Sequence, residues 1–185
     1  MIIIGITGTI GAGKGTIVEY LVTHQGFDHY SVRAFLLEEI RKRGLPENRD
    51  SMVAVANEMR ASQGPSYVTD QLFFLASKSS KNCVIESIRT PGEIDSLRQK
   101  GRFFLFAVNA SAEIRYERIK VRASETDHIS YEEFLANEER EMNTTDPNKQ
   151  NLRQCIAMAD IVFDNNGTVE ELIGQVEMEL KRILH

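Results

Sequence analysis

The chain has 185 residues, with 22 Lys and Arg against 27 Asp and Glu and a formal charge of −5. That is about one domain of length. With 42% hydrophobic and 26% charged residues it is too apolar for disorder, and its acidic balance argues against a face built to grip polymeric nucleic acid.

The first element is a strand over Ile2–Thr7, apolar on both alternating faces as a central parallel strand covered by helices should be. The apolar start, Met1 to Ile6, is far short of the roughly 20 residues that span a bilayer and lacks the basic flank of a signal peptide. A glycine-rich loop follows, then a helix from Thr16 to about Leu21. A second strand is expected around His29–Ser31. Residues 34–81 read as helices only, an insert ahead of a third strand at Cys83–Glu86.

Thr90, Pro91 and Glu93 supply an N-cap, a first-position proline and a capping-box acid for the next helix. A fourth strand over Arg102–Val108 is again apolar on both faces. An irregular insert runs from Ala123 to about Asn151, inside which Ser130 and Glu133 mark another helix start. The last strand is expected at Asp160–Phe163. The last helix follows the Thr168/Glu171 cap, with Val169, Leu172, Ile173, Val176 and Leu180 on one face. Strands alternating with helices predict an α/β fold with a parallel sheet, in one domain over residues 1–185. Cys83 and Cys155 stand alone, without metal-ligand spacing, so reduced thiols and a cytoplasmic setting are expected, with no membrane partner.

One motif dominates the chemistry: Gly8-Thr-Ile-Gly11-Ala-Gly13-Lys14-Gly15-Thr16, directly after a buried strand and opening a helix. Four of the 12 glycines fall in these nine residues. Glycines let the backbone N–H groups turn inward around an anion, where a Cβ would clash. The helix N-terminus adds partial positive charge, and the lysine reaches the β- and γ-phosphates. Gly8, Gly11, Ala12, Gly13, Lys14, Gly15 and Thr16 are therefore the expected nucleotide-binding residues. The expected architecture is a P-loop α/β/α sandwich on a five-stranded parallel sheet.

In the Gly-Lys-Gly-Thr form, Gly15 stands where the plain pattern has Ser or Thr. This resembles adenylate kinase and other nucleoside monophosphate kinases more than GTPases. The resemblance implies ATP as donor and Mg²⁺ held largely through water, with Thr16 and Glu86 as its nearest protein groups. Gly26-Phe-Asp-His29-Tyr-Ser31 and Val84-Ile85-Glu86-Ser87-Ile88-Arg89 are also similar to segments of those kinases. They imply that Glu86 orients metal waters and Arg89 grips an acceptor phosphate. Arg115, Arg118 and Arg122, at i, i+3 and i+7 on one helical face, resemble arginines leading into a kinase lid, expected over residues 118–142, with Arg140 a further candidate. Lys14, Glu86, Arg118 and Arg122 are the implied catalytic groups.

Ala159-Asp160-Ile161-Val162-Phe163-Asp164-Asn165-Asn166-Gly167 resembles dephospho-CoA kinases, and places Asn165 and Gly167 against the adenine of ATP. Adenylate kinases continue with Gly-Asp-x-x-Arg after the position of Ser31, and dephospho-CoA kinases place acids there. This chain has Val32-Arg33-Ala34 instead. Arg33, Arg49, Asn57 and Arg60 lie in the helical insert, and the 11-residue spacing of Arg49 and Arg60, near three turns, lets both face one pocket. With Arg89, the three arginines are the expected acceptor-binding set. The expectation is an ATP- and Mg²⁺-dependent kinase acting on a small, phosphorylated, nucleotide-like acceptor. A (deoxy)nucleoside monophosphate is favoured, with dephospho-CoA as the alternative and a nucleotide-binding switch as the alternative of another class.

Overall fold

The computed structural model describes residues 1–122 and 129–184. Five strands form one all-parallel sheet in the order β2-β3-β1-β4-β5: β1 (Ile2–Thr7), β2 (Asp28–Ser31), β3 (Cys83–Glu86), β4 (Arg102–Asn109) and β5 (Ile161–Asp164). Helices cover both faces, the three-layer arrangement expected from the alternation of elements. The sequence places β5 one residue too early. Asp160 stays outside it because its carboxylate accepts from the Leu105 N–H at 2.7 Å.

The period-2 pattern of β1 divides the core. Ile2, Ile4 and Ile6 pack with Val84, Phe106, Val108 and Phe163 under α1 (Lys14–Gln25) and α9 (Val169–Leu184). Ile3 points the other way, to Ile85, Phe103 and Leu105. That face carries α2 (Val32–Lys42), α3 (Arg49–Gln63), α4 (Tyr67–Ser77) and α5 (Pro91–Arg98). The insert read as all-helical is thus three helices, α2 to α4. Helix α1 starts at Lys14, two residues before Thr16, and runs on to Gln25.

Two capping boxes form as the sequence predicts. Thr90 with Glu93 opens α5, and Ser130 with Glu133 opens α7 (Tyr131–Met142). Helix α6 (Ala112–Arg122) precedes α7, and a short α8 (Leu152–Ala157), not anticipated from sequence, precedes β5. Of the lid expected over 118–142, residues 123–128 lie outside the described residues. The described part of α7 is well anchored: Phe134 is fully buried beside Tyr116 and Tyr131. No helix among the described residues is long and apolar enough to cross a membrane.

The strand order sets the place of the site. From β1 the chain runs to β2 at one edge, returns to β3, and then crosses β1 to β4 on the other side, and in such sheets the crevice opens beyond the carboxyl ends of the strands at that reversal. β1 ends there in the glycine loop, and β3 ends there in Glu86.

Candidate functional site

The loop after β1 wraps around the start of α1. Gly8, Gly11 and Gly13 all have positive φ. Gly13 (φ +100°) has a second constraint, since a Cβ there would stand 2.1 Å from the Asn165 side-chain nitrogen. A Cβ on Gly11 (φ +76°) would stand 2.5 Å from the Arg115 carbonyl. A braced side chain beside Gly13 and backbone beside Gly11, together with positive φ at both, therefore require glycine. Helix α1 has no side-chain cap and no acid in its first turn, so its N-terminal N–H groups and dipole remain available to an anion.

Lys14 curls back over the loop and donates to the carbonyls of Gly8 (2.8 Å) and Thr9 (2.7 Å). Burial, then the neighbouring Arg89, lower its pKa from the ordinary 10.5 to about 7. Arg122 adds to the lowering, while Glu86 and Glu141 oppose it. A polyphosphate in the loop would add to the opposite charge of Glu86 and Glu141 and favour the ammonium form.

Glu86 closes β3, in register with Ser31 on one side and Ile6 on the other. Ser31 Oγ donates to its Oε1 at 3.0 Å, and His29 Nε2 lies 3.7 Å from the same oxygen. Hydrogen bonding with His29 is the leading cause holding the Glu86 pKa below the usual carboxylate value, against desolvation. The next residue, Ser87, is one of two non-glycines with positive φ among the described residues (φ 67°). It is held there because Ile88 N–H donates to Ile6 O (3.1 Å) and Thr7 Oγ1 to Ile88 O (2.8 Å).

From the loop, a cleft of about 450 Å³ extends to the insert. Gly11, Gly13, Lys14, Gly15, Thr16, Glu86, Arg118 and Arg122 line it, and so do all four acceptor candidates, Arg33, Arg49, Arg60 and Arg89. Arg49 and Arg60 do share one face of α3. Val32, Leu36, Met52, Val53 and Ala56 form an apolar wall beside them. Gly8, Ala12, Asn165 and Gly167 do not line the cleft. Asn165 is buried behind the loop, its Nδ2 donating to Ala12 O at 2.8 Å. Gly167 sits in the turn where Glu171 caps α9 through Thr168 N–H.

The arginines are held very differently. Arg60, 1% exposed, gives Nη2 to Glu93 Oε1 at 3.1 Å, leaving Nε and Nη1 without partners. Arg118 gives Nη2 to the Asn165 carbonyl (2.9 Å), and its Nη1 is buried and unpartnered. Arg49 and Arg89 both bind Glu141, Arg89 at 2.7 Å. Unpaired buried guanidinium N–H groups are costly, and an anion in the cleft would satisfy them. Arg115 does something else. Its buried guanidinium pairs with Glu138, donates to Ala110 O and Ile10 O, and lies over Phe134, tying α7 to the loop. Arg140 is exposed, bonds only to Asn137 among the described contacts, and is outside the cleft.

Glu141, Gln150 and Glu93 are the site residues that sequence reasoning missed as such. Glu141 belongs to a helix that also carries Glu132, Glu133, Glu138 and Glu139, so local pattern cannot separate it from solvated acids. Glu93 is legible only as a cap, yet its other oxygen serves Arg60.

Thr16 and Glu86 line the cleft with Lys14 between the loop and β3. No cluster of three or more His, Cys, Asp or Glu among the described residues could hold a metal alone. This donor set fits Mg²⁺, which keeps several waters and takes one or two carboxylates plus substrate phosphates.

The fold is that of P-loop kinases. A structure of TT1252 from Thermus thermophilus is 25% identical with TM-score 0.59, over 98% of this chain and 97% of that one. A gluconokinase from Sinorhizobium meliloti is similar in fold (TM-score 0.61, 17% identity, 98% and 93% covered). So is shikimate kinase from Aquifex aeolicus (0.53, 16%, 97% and 96%). In sequence, a UPF0200 protein of Pyrococcus abyssi is 27% identical over 99% of this chain and 97% of its own length. Another, from Methanocaldococcus jannaschii, is 29% identical over 100% and 92%. A family profile described as an AAA domain matches residues 4–146, well over half the length, and the chain belongs to that family.

Proposed function

We propose that the protein transfers the γ-phosphoryl group of ATP to a small acceptor that already carries a phosphate, with a (deoxy)nucleoside monophosphate as the favoured class. One observation carries this. The cleft brings Lys14 and six arginines (33, 49, 60, 89, 118 and 122) together with two carboxylates, Glu86 and Glu141, both with lowered pKa values. Neither is a good general base, because a base needs a pKa near the working pH. A hydroxyl acceptor such as dephospho-CoA needs a base. A phosphate oxygen does not, being already anionic, and it rewards a cationic pocket.

In this reading the loop N–H groups and Lys14 hold the β- and γ-phosphates. The Val32, Leu36, Met52 and Ala56 wall receives the apolar face of a base. Arg49, Arg60 and Arg89 fix the acceptor phosphate, and Arg118 and Arg122 approach the transferring group. Arginine forks match equatorial phosphate oxygens and neutralise developing charge. Mg²⁺, when bound, would neutralise the phosphates, with Glu86 and Thr16 orienting its waters. Positioning and charge supply most of phosphoryl-transfer catalysis, and this chain offers both. ADP release with ATP and Mg²⁺ across all nucleoside monophosphates and dephospho-CoA is the test. Stimulation by a monophosphate is expected. Slow hydrolysis that no acceptor stimulates would favour a nucleotide switch.

A further inference from the structure

Two of the arginines assigned above to the acceptor, Arg49 and Arg89, already hold a carboxylate. Glu141, 5% exposed, reaches in from the last turn of α7 and binds Arg49 through Oε1 and Arg89 through Oε2. Arg49 comes from α3, Arg89 from the loop after β3, and Glu141 from beyond α6. Three segments distant in sequence meet on one carboxylate. Arg89 also donates to Gln150 Oε1 at 3.2 Å.

We propose that Glu141 is an internal occupant of the acceptor's anion seat, which a dianionic phosphate displaces and a monoanionic carboxylate does not. This deepens the kinase reading and rests on it. Guanidinium forks donate to carboxylate and phosphate oxygens in the same geometry. A carboxylate fixed to the chain competes at an effective concentration of roughly millimolar or above, so a free carboxylate meets a rival of its own kind already in place. A phosphate dianion brings a second charge and a third oxygen. It also meets donors that Glu141 leaves unused: Arg49 Nε, and Arg60 Nε and Nη1 on the same face of α3. Glu141 thus acts as a charge filter, specificity by built-in competition. Helix α7 keeps its other anchors when Glu141 leaves, since Phe134 and Glu138 hold it from its N-terminal side.

Calorimetric titration of the full chain, pre-saturated with ADP, tests this with inorganic phosphate and acetate as probes at about pH 8, where phosphate is mainly the dianion. Glu141→Gln should bind phosphate at least about fivefold tighter than the native protein, a usual size for coupled sites, and should gain measurable acetate binding. The double variant Arg49→Gln with Glu141→Gln should lose that gain. Phosphate binding unchanged or weaker in Glu141→Gln would overturn the proposal, making Glu141 a bystander or a positioning group for the arginines. Failure of ADP to bind would count against the kinase reading instead. The native and Glu141→Gln proteins, compared without nucleotide, would still decide the role of Glu141.

Discussion

Asn165 and Ala12, 153 residues apart, are joined by a buried hydrogen bond of 2.8 Å from the Asn165 side-chain nitrogen to the Ala12 carbonyl. The Asn165 backbone carbonyl accepts from Arg118 Nη2 at 2.9 Å. One residue after β5 therefore braces the glycine loop from behind and holds a cleft arginine. Asn165→Asp replaces the donor with an acceptor facing the carbonyl. The expected cost is about 1–3 kcal/mol of stability, with weaker ATP binding, read by urea unfolding and nucleotide titration. Native-like values for both would remove the brace.

Lys14 gives a pH signature. Burial, then Arg89, hold its pKa at about 7, and a bound polyphosphate would raise it. Above about pH 7 the free protein has lost the proton that the complex keeps, so binding takes a proton up and affinity falls as pH rises. Between about pH 7.5 and 9, where ADP itself no longer titrates, affinity should drop on the order of tenfold. Lys14→Arg, cationic throughout, should flatten the profile. A flat profile in the native protein would contradict the assignment.

The glycine loop was readable because its function is written in local backbone needs: a buried strand, glycines at positions of positive φ, a lysine, a helix. Caps are equally local, so α5 and α7 start where Thr90 and Ser130 predict. The common face of Arg49 and Arg60 followed from helical spacing. Pairings across the fold left no local trace. Arg115 shares a helical face with Arg118 and Arg122 in sequence, yet Glu138 and the Ala110 carbonyl bury it. Asn165 is placed against the adenine only by resemblance, and its bond to the Ala12 carbonyl behind the loop has no trace in local sequence. Nothing in the acidic pattern of α7 distinguishes Glu141 from its neighbours until α3 and the β3 loop are placed beside it.

Glu86 should matter for turnover more than for binding. Glu86→Gln keeps a hydrogen-bond acceptor for Ser31 and removes the charge that a hydrated Mg²⁺ requires. We expect turnover about 10- to 100-fold lower, as for partners that orient metal ligands, a higher magnesium requirement, and ADP affinity nearly unchanged. A parent-like magnesium titration would make Glu86 a strand-end acid.

Glu93 is fully buried, caps α5 through Thr90 N–H (3.0 Å) and is the described partner of Arg60. Glu93→Ala leaves a buried guanidinium uncompensated, which costs about 3–5 kcal/mol, and removes the cap besides. Urea unfolding should show a loss of at least that size. A loss under about 1 kcal/mol, the scale of a cap alone, would mean the pair carries no weight.

The central claim is that the cleft passes the γ-phosphoryl of ATP from the glycine loop to a phosphorylated acceptor seated among the insert arginines. Its most direct measurement is the fate of the terminal phosphate of γ-labelled ATP, incubated with Mg²⁺ and the nucleoside monophosphates one at a time. The account predicts that with at least one monophosphate most of the label enters an organic diphosphate, and that Lys14→Ala lowers this transfer on the order of 10²-fold or more while remaining folded. Label recovered only as inorganic phosphate with every acceptor, or transfer undiminished in a folded Lys14→Ala protein, would contradict it.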